Sequence, residues 1–206
     1  MNNVLNFDAK HLTFEEIGQT LKEQDQLLSE QTKKIEELFE QTASHKVAQP
    51  KNQLSMVVFS GDLDKQLAAL IIATGAAASG MEVSLFFTFW GTAALRTPRK
   101  TKKDIWGKMM GWMLPTGASK LKLSQMHMGG AGTAGLKYLM GKKGVASLPE
   151  LLSLAGELDV HIDVCTMSMD LMGIAKEEII DYPNLGYCGV ASFVETASSS
   201  KTTLFI

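Results

Sequence analysis

The sequence predicts an α/β protein: a parallel sheet covered by helices on both faces, preceded by a helical arm. Three observations predict it. After residue 50, short β-rich runs alternate with helix-length stretches. The runs are almost continuously apolar, as strands buried on both faces require. Residues 13–45 contain no proline, a single glycine and an abundance of Glu, Gln, Lys and Leu, the composition of a long helix. At 206 residues the chain holds one sizeable core with an extension.

A heptad laid on the arm places Phe14, Ile17, Leu21, Gln24, Leu28, Gln31, Ile35, Leu38, Thr42 and His45 at the a and d positions. The glutamines weaken such a seam but fix its register. Two readings stand: an intermolecular coiled coil that drives homo-oligomer formation, or one amphipathic helix folded onto its own domain. Ala48-Gln49-Pro50-Lys51-Asn52 reads as a linker. The chain thus divides into an arm over residues 1–50 and an α/β domain over 51–206.

Within the domain, residues 54–59 form the first strand. The turn Ser60-Gly61-Asp62-Leu63-Asp64-Lys65 caps an apolar helix over 67–78, and a second strand follows over 83–89. This is a βαβ unit, whose right-handed crossover makes the strands parallel with their carboxyl ends on one edge. A helix over 148–158, with Ser147 before it and Pro149 in its first turn, feeds a strand over 160–164 that ends at Cys165. Residues 189–198 suit a helix and 202–206 a terminal strand. Two hydropathic stretches, 67–91 and 109–140, are interrupted by Ser79-Gly80-Met81-Glu82 and by Lys120, Lys122, His127 and Lys137 respectively. They read as buried core elements rather than membrane spans.

A net charge of −2 argues against a nucleic-acid partner. The two cysteines, Cys165 and Cys188, form neither a CxxC pair nor a cysteine/histidine cluster of zinc spacing, so no disulfide scaffold or structural metal is expected. A reducing compartment fits this usage. The amino terminus lacks the basic start and apolar stretch of a secretion signal, and the expected location is cytoplasmic.

In open α/β sheets the working site lies outside the carboxyl ends of the strands. Cys165 falls on that edge, at the start of a helix over Thr166-Met167-Ser168-Met169-Asp170, and so do the turns at Gly61-Asp62 and Trp90-Gly91. Unpaired N–H groups of the helix start favour a thiolate, which predicts a solvent-reachable, reactive sulfur. A small buried apolar side chain is the plainer reading of a single cysteine.

The chain also resembles a known family at these residues. CTMSMDLMGI over 165–174 is similar to the motif of one branch of the DsrE/DsrF/DsrH-like proteins. The likeness extends to SLFFTFWG over 84–91, LKLSQMHMGGAGT over 121–133, SLPELLSLA over 147–155, GVASFVETA over 189–197 and a terminal TLFI. It spans about residues 54–206 and leaves the arm outside. The resemblance implies a three-layer α/β/α fold with a mainly parallel sheet of four to five strands and multimeric assembly. It also implies a cysteine that carries sulfane sulfur as a persulfide, matched by Cys165, and TusA-like or rhodanese-like sulfur-transfer partners. No cofactor is expected. His127 stands where the family pattern suggests Asn.

For a carrier thiol, the N–H groups around Met167 to Met169 stabilise negative sulfur, and Thr166 and Ser168 add hydroxyl donors. Asp170 opposes ionisation if it faces the sulfur, but suits better a first-turn acid. Cys188 is a candidate resolving thiol if the fold brings it within about 7 Å, Cα to Cα, and a small packing residue otherwise. His127 either tunes the thiol or caps a helix. Three weaker patterns complete the reading. Cys165, Met167, Met169, Met126 and Met128 are soft ligands that suit Cu(I), although methionines more often fill cores. Residues 130–135 satisfy GxGxxG without a preceding strand. Arg96, Arg99, Lys100, Lys102, Lys103 and Lys108 read as a solvated basic loop that suits an acidic carrier protein. The competing functional classes are thus a sulfurtransferase-like carrier, a non-catalytic assembly module and a soft-metal binder.

Overall fold

The computed structural model describes residues 14–44, 50–99, 101 and 105–206. The chain forms two compact units, Met1–Gln49 and Pro50–Ile206. In the first, α1 (Phe14–Ser44) is one unbroken helix. Its seam positions Leu21, Leu28, Ile35 and Leu38 are all exposed, as are Leu27 and Phe39. His45 and the side chains of Phe14, Ile17 and Thr42 lie outside the described part.

In the second unit, β1 (Lys51–Val58), α2 (Leu63–Ala78) and β2 (Glu82–Phe87) form the expected βαβ unit. A 3-10 segment over Phe89–Leu95 follows β2, and then come α3 (Ile105–Met113), α4 (Ala131–Lys142) and α5 (Leu148–Glu157). β3 (His161–Cys165) runs directly into the short α6 (Thr166–Leu171), followed by β4 (Leu185–Cys188), α7 (Val190–Ser199) and β5 (Ser200–Phe205). The sheet order is β4-β3-β2-β1-β5, with every pairing parallel. All carboxyl ends therefore share one edge. This is the α/β/α architecture the sequence predicts, at the upper strand count. β4 was not foreseen: Leu-Gly-Tyr-Cys is four residues with a glycine inside, too short and too weakly β-forming to stand out.

The two faces of the sheet are unequal. Leu54, Met56, Val58, Val83, Leu85, Phe87, Ile162 and Val164 all point to the face that packs on α2 and α5. Each such side chain is worth about 1.5–3 kcal/mol when fully buried. The opposite face carries Ser55, Ser84, Asp163 and Cys165 beside Val57 and Phe86. It is covered by α7, whose single buried residue, Phe193, stacks on Phe86 with ring centroids 4.9 Å apart. Apolar burial therefore anchors α7 much more weakly than it anchors α2 and α5.

The stretch over 109–140 is core only in part: Leu114, Ala118 and Leu121 join the buried cluster, and the rest departs from expectation. Met109, Trp112, Met113, Met126, Met128, Tyr138 and Leu139 are exposed, and Thr133 is the one buried residue of α4. The alternation of apolar residues with glycine and lysine leaves these short helices no continuous apolar stripe to bury. Among the described residues, no helix is long and apolar enough to cross a membrane. The basic loop also departs from expectation at its first member. Arg96 is buried, 3.7 Å from the Glu178 carboxylate, and donates to the carbonyls of Gly111, Leu114 and Pro115. Lys100, Lys102 and Lys103 lie outside the described residues.

Candidate functional site

Cys165 is the last residue of β3 and the N-cap of α6, with extended backbone at φ −66° and ψ 113°. Strand and helix meet without a linker, so the side chain of the strand's final position lies beside the first turn of the helix. The sulfur is held on the α7 side of the sheet, among Phe86, Phe193 and Cys188. It is fully buried, at 0% exposure. The expectation of a solvent-reachable sulfur therefore fails for this conformation, because α7 and the Phe86–Phe193 stack close over it.

Burial is the largest influence on this thiol and pushes its pKa up. The hydroxyl and N–H of Ser168, the hydroxyl of Thr88 and the N–H of Met167 outweigh it, holding Cys165 below the ordinary cysteine range. No cap hydrogen bond of regular geometry reaches the sulfur. The N–H groups act instead as oriented dipoles, at the N2 and N3 positions where an N-cap side chain is normally served. Thr88 and Ser168 lie 2.8 Å apart, oxygen to oxygen. When Thr88 donates to Ser168, the Ser168 proton is free to point at sulfur, so the pair works as a relay from the end of β2 to the thiol.

The remaining expected residues divide by location. Thr166 donates to the Cys188 carbonyl at 3.5 Å and ties α6 to β4. Met169 is buried in the core, whereas Met167 is exposed. Asp170 is exposed and lies beyond the first turn of α6, so it is not the first-turn acid expected of it. Gly61, Asp62 and Trp90 line a cleft of about 440 Å³ that contains no residue of α6 and not Cys165. In this cleft Asp62 bonds Ser60 and pairs with Lys65 at 3.0 Å. Gly61 and Gly91 are sites of close approach: a Cβ on Gly61 would meet the Trp90 carbonyl oxygen at 2.7 Å, and one on Gly91 would overlap the Val58 carbonyl. Buried Gln66 joins both turns, donating to the carbonyls of Ser60 and Gly91. His127 bonds Thr133, in the first turn of α4, at 2.9 Å. Of the proposed soft ligands, Met126 and Met128 are largely exposed while Cys165 and Met169 are buried. Among the described residues no group of three or more His, Cys, Asp or Glu is arranged to hold a metal ion.

The structure does bring Cys188 to Cys165: the two are Cα partners on adjacent strands β4 and β3. Loss of water, the Asp163 carboxylate and the neighbouring Cys165 push the Cys188 thiol up to about 11, against a smaller lowering influence of Ser192. The two thiols are thus driven in opposite directions. Sequence reasoning missed Thr88, Phe193 and Asp163, which reach the site only through sheet order. A second cleft of about 660 Å³, lined in part by Arg96, Tyr182 and Pro183, contains none of these residues.

Comparison with known proteins places this geometry in context. Residues 50–205 match the family described as DsrE/DsrF/DrsH-like. The uncharacterized protein YrkE of Bacillus subtilis (strain 168) is 44% identical over 154 residues, covering 74% of this chain and 95% of that protein. The sulfur carrier protein DsrE2 of Allochromatium vinosum is 36% identical over 160 residues, covering 76% of this chain and 99% of that protein. Among solved structures, that of the ychN protein from E. coli aligns over 75% of this chain and 98% of its own, with a TM-score of 0.44 at 10% identity.

Proposed function

Since the chain belongs to the DsrE/DsrF/DrsH-like family, we propose that it is a sulfur-relay protein in which Cys165 carries sulfane sulfur as a persulfide. The observation that carries this reading is the surroundings of Cys165 at the carboxyl edge of the sheet, where Ser168, Thr88 and the first N–H groups of α6 favour the thiolate despite burial. A thiolate is the form that attacks. In the loading step, the Cys165 sulfur attacks the outer sulfur of a donor persulfide; a new S–S bond forms, the donor's S–S bond breaks, and the donor leaves as a thiolate. In the delivery step an acceptor thiolate attacks the outer sulfur of the Cys165 persulfide, which returns Cys165 as thiolate. Sulfur moves without net oxidation of the pair. The hydroxyls and N–H groups that steady Cys165 as S⁻ serve the terminal S–S⁻ in the same way.

Burial sets a condition on both steps: α7 must be displaced, in the free protein or by a docked partner. TusA-like and rhodanese-like proteins suit the partner role, since each presents sulfur on a protein thiol. Homo-oligomer formation through the exposed seam of α1 fits the same picture.

The test is intact-mass analysis after exposure to thiosulfate or polysulfide. A gain of about 32 Da, one sulfur atom, is expected on Cys165 and absent from Cys165→Ser. Absence of any adduct on the native protein refutes the carrier reading. Complete burial of Cys165 favours one alternative, a non-catalytic assembly module with a packing cysteine. That alternative predicts a thiol that stays unmodified until the protein unfolds.

A further inference from the structure

We propose that Cys188 resolves the Cys165 persulfide, attacking its inner sulfur to form an intrachain disulfide and releasing the outer sulfur as hydrosulfide. This rests on the carrier reading of Cys165 and adds a second outlet to it: sulfide release by the chain itself, beside transfer to another protein's thiol.

Register is the first ground. Cys165 and Cys188 are directly paired positions of neighbouring parallel strands. Adjacent strands run about 4.8 Å apart, and a disulfide accepts Cα separations of about 4.4–6.8 Å. Paired positions also send their side chains to the same face, and both sulfurs belong to the cluster around Phe86 and Phe193. Neither strand has to slide or turn over for the bond to form.

A route for the proton is the second ground. Asp163 lies two residues before Cys165 on β3, hence on the same face, and its carboxylate is near enough to Cys188 to push that thiol's pKa up. The other strand makes room for it: the residue opposite Asp163 is Gly186, where any Cβ would overlap Asp163 Oδ1. Asp163 Oδ2 in turn lies 3.2 Å from Nε2 of His161, a ring about half exposed. A line of polar groups therefore runs from the half-buried thiol to solvent along one face of β3.

The step balances without an outside oxidant. Cys188 gives its proton to Asp163, its sulfur bonds Cys165 Sγ, and the Sγ–sulfane bond breaks with its electron pair on the outer sulfur of the S–S⁻ group, which takes up the proton Asp163 received and leaves as HS⁻. The sulfane sulfur is reduced by two electrons and the two thiol sulfurs are oxidised to the disulfide. An external dithiol returns the pair to its reduced state. Because Cys188 is held protonated far above neutral pH, discharge is slow and a loaded Cys165 persists long enough to meet an acceptor.

The experiment loads the full chain with polysulfide, removes excess reagent and follows intact mass and free sulfide without reductant. In the native protein the adduct of about 32 Da is expected to decay into a species about 2 Da lighter than the reduced chain, with a Cys165–Cys188 linked peptide and one sulfide per chain. In Cys188→Ser and Cys188→Ala the adduct is expected to survive at least about tenfold longer and to release no matching sulfide. Equal persulfide lifetimes in native and variant proteins, or sulfide release without the linked peptide, overturn the proposal. Diamide oxidation of the unloaded protein separates the two readings. A linked Cys165–Cys188 peptide with no persulfide at any stage refutes the carrier alone. No linked peptide, under conditions where alkylation reaches both thiols, refutes the pairing.

Discussion

Phe193→Ala tests whether α7 is the door to the thiol. Phe193 is the one buried side chain of α7, it stacks on Phe86, and the same cluster holds Cys165. Truncating a buried phenylalanine costs about 3–5 kcal/mol. If α7 lifts away to expose the sulfur, that packing is absent from the open state, so the whole cost falls on the closed one. At 1.36 kcal/mol per factor of ten, the lower figure of about 3 kcal/mol raises the open population roughly 150-fold. Phe193→Leu keeps most of the apolar volume and is expected to raise it by no more than about tenfold.

The assay is iodoacetamide labelling of Cys165 in a Cys188→Ser background, read by peptide mass, with the labelling rate measured against urea below the unfolding transition. Local opening exposes little surface, so the rate is expected to be nearly flat in urea while rising by about two powers of ten in the alanine variant. A rate that climbs with the full urea slope of global unfolding, in native and variant alike, refutes the reasoning. It would mean that Cys165 is reached only when the domain unfolds.

Three other outcomes are expected. Ser168→Ala and Thr88→Val remove donors that favour the Cys165 thiolate and leave burial to push the thiol up. The midpoint of Cys165 alkylation against pH therefore moves higher and the rate at neutral pH falls, while Cys188 keeps its midpoint at about 11. Gly91→Ala drives a Cβ into the Val58 carbonyl, at an overpacking cost of about 1–3 kcal/mol in denaturant unfolding. Arg96→Met leaves the Glu178 carboxylate buried without its cation, at about 3–5 kcal/mol. The double change Arg96→Met/Glu178→Leu is expected to recover most of that loss in the same measurement.

How far the sequence is legible differs from residue to residue. The βαβ unit, the helix before β3, the strand ending at Cys165 and the helix over 189–198 follow from local pattern, since apolar period and turn residues are properties of neighbours in the chain. The resemblance at Cys165 to Ile174 pointed to the same family that the whole-domain match identifies. Arg96 was misread because a guanidinium in a basic run looks solvated until Glu178, far along the chain, is folded against it. The exposed methionines between residues 109 and 128 look like core in the sequence because hydropathy reports composition, whereas burial depends on whether a partner element faces them. The role of Cys188 is not legible in the sequence because pairing register is a long-range property: Cys165 and Cys188 are joined through the placement of β4 beside β3, not through any spacing in the chain.

The amino-acid order by itself determined the alternation of strands and helices, the parallel sense of the sheet and the edge on which a cysteine would stand, because these arise from backbone propensity and the handedness of a short crossover. Tertiary structure alone decided that this sulfur lies closed beneath one lightly anchored helix, steadied by a hydroxyl from the residue after β2 and paired with a second thiol on β4. Those relations join residues that share no local signal, and they exist only once five strands have taken their order.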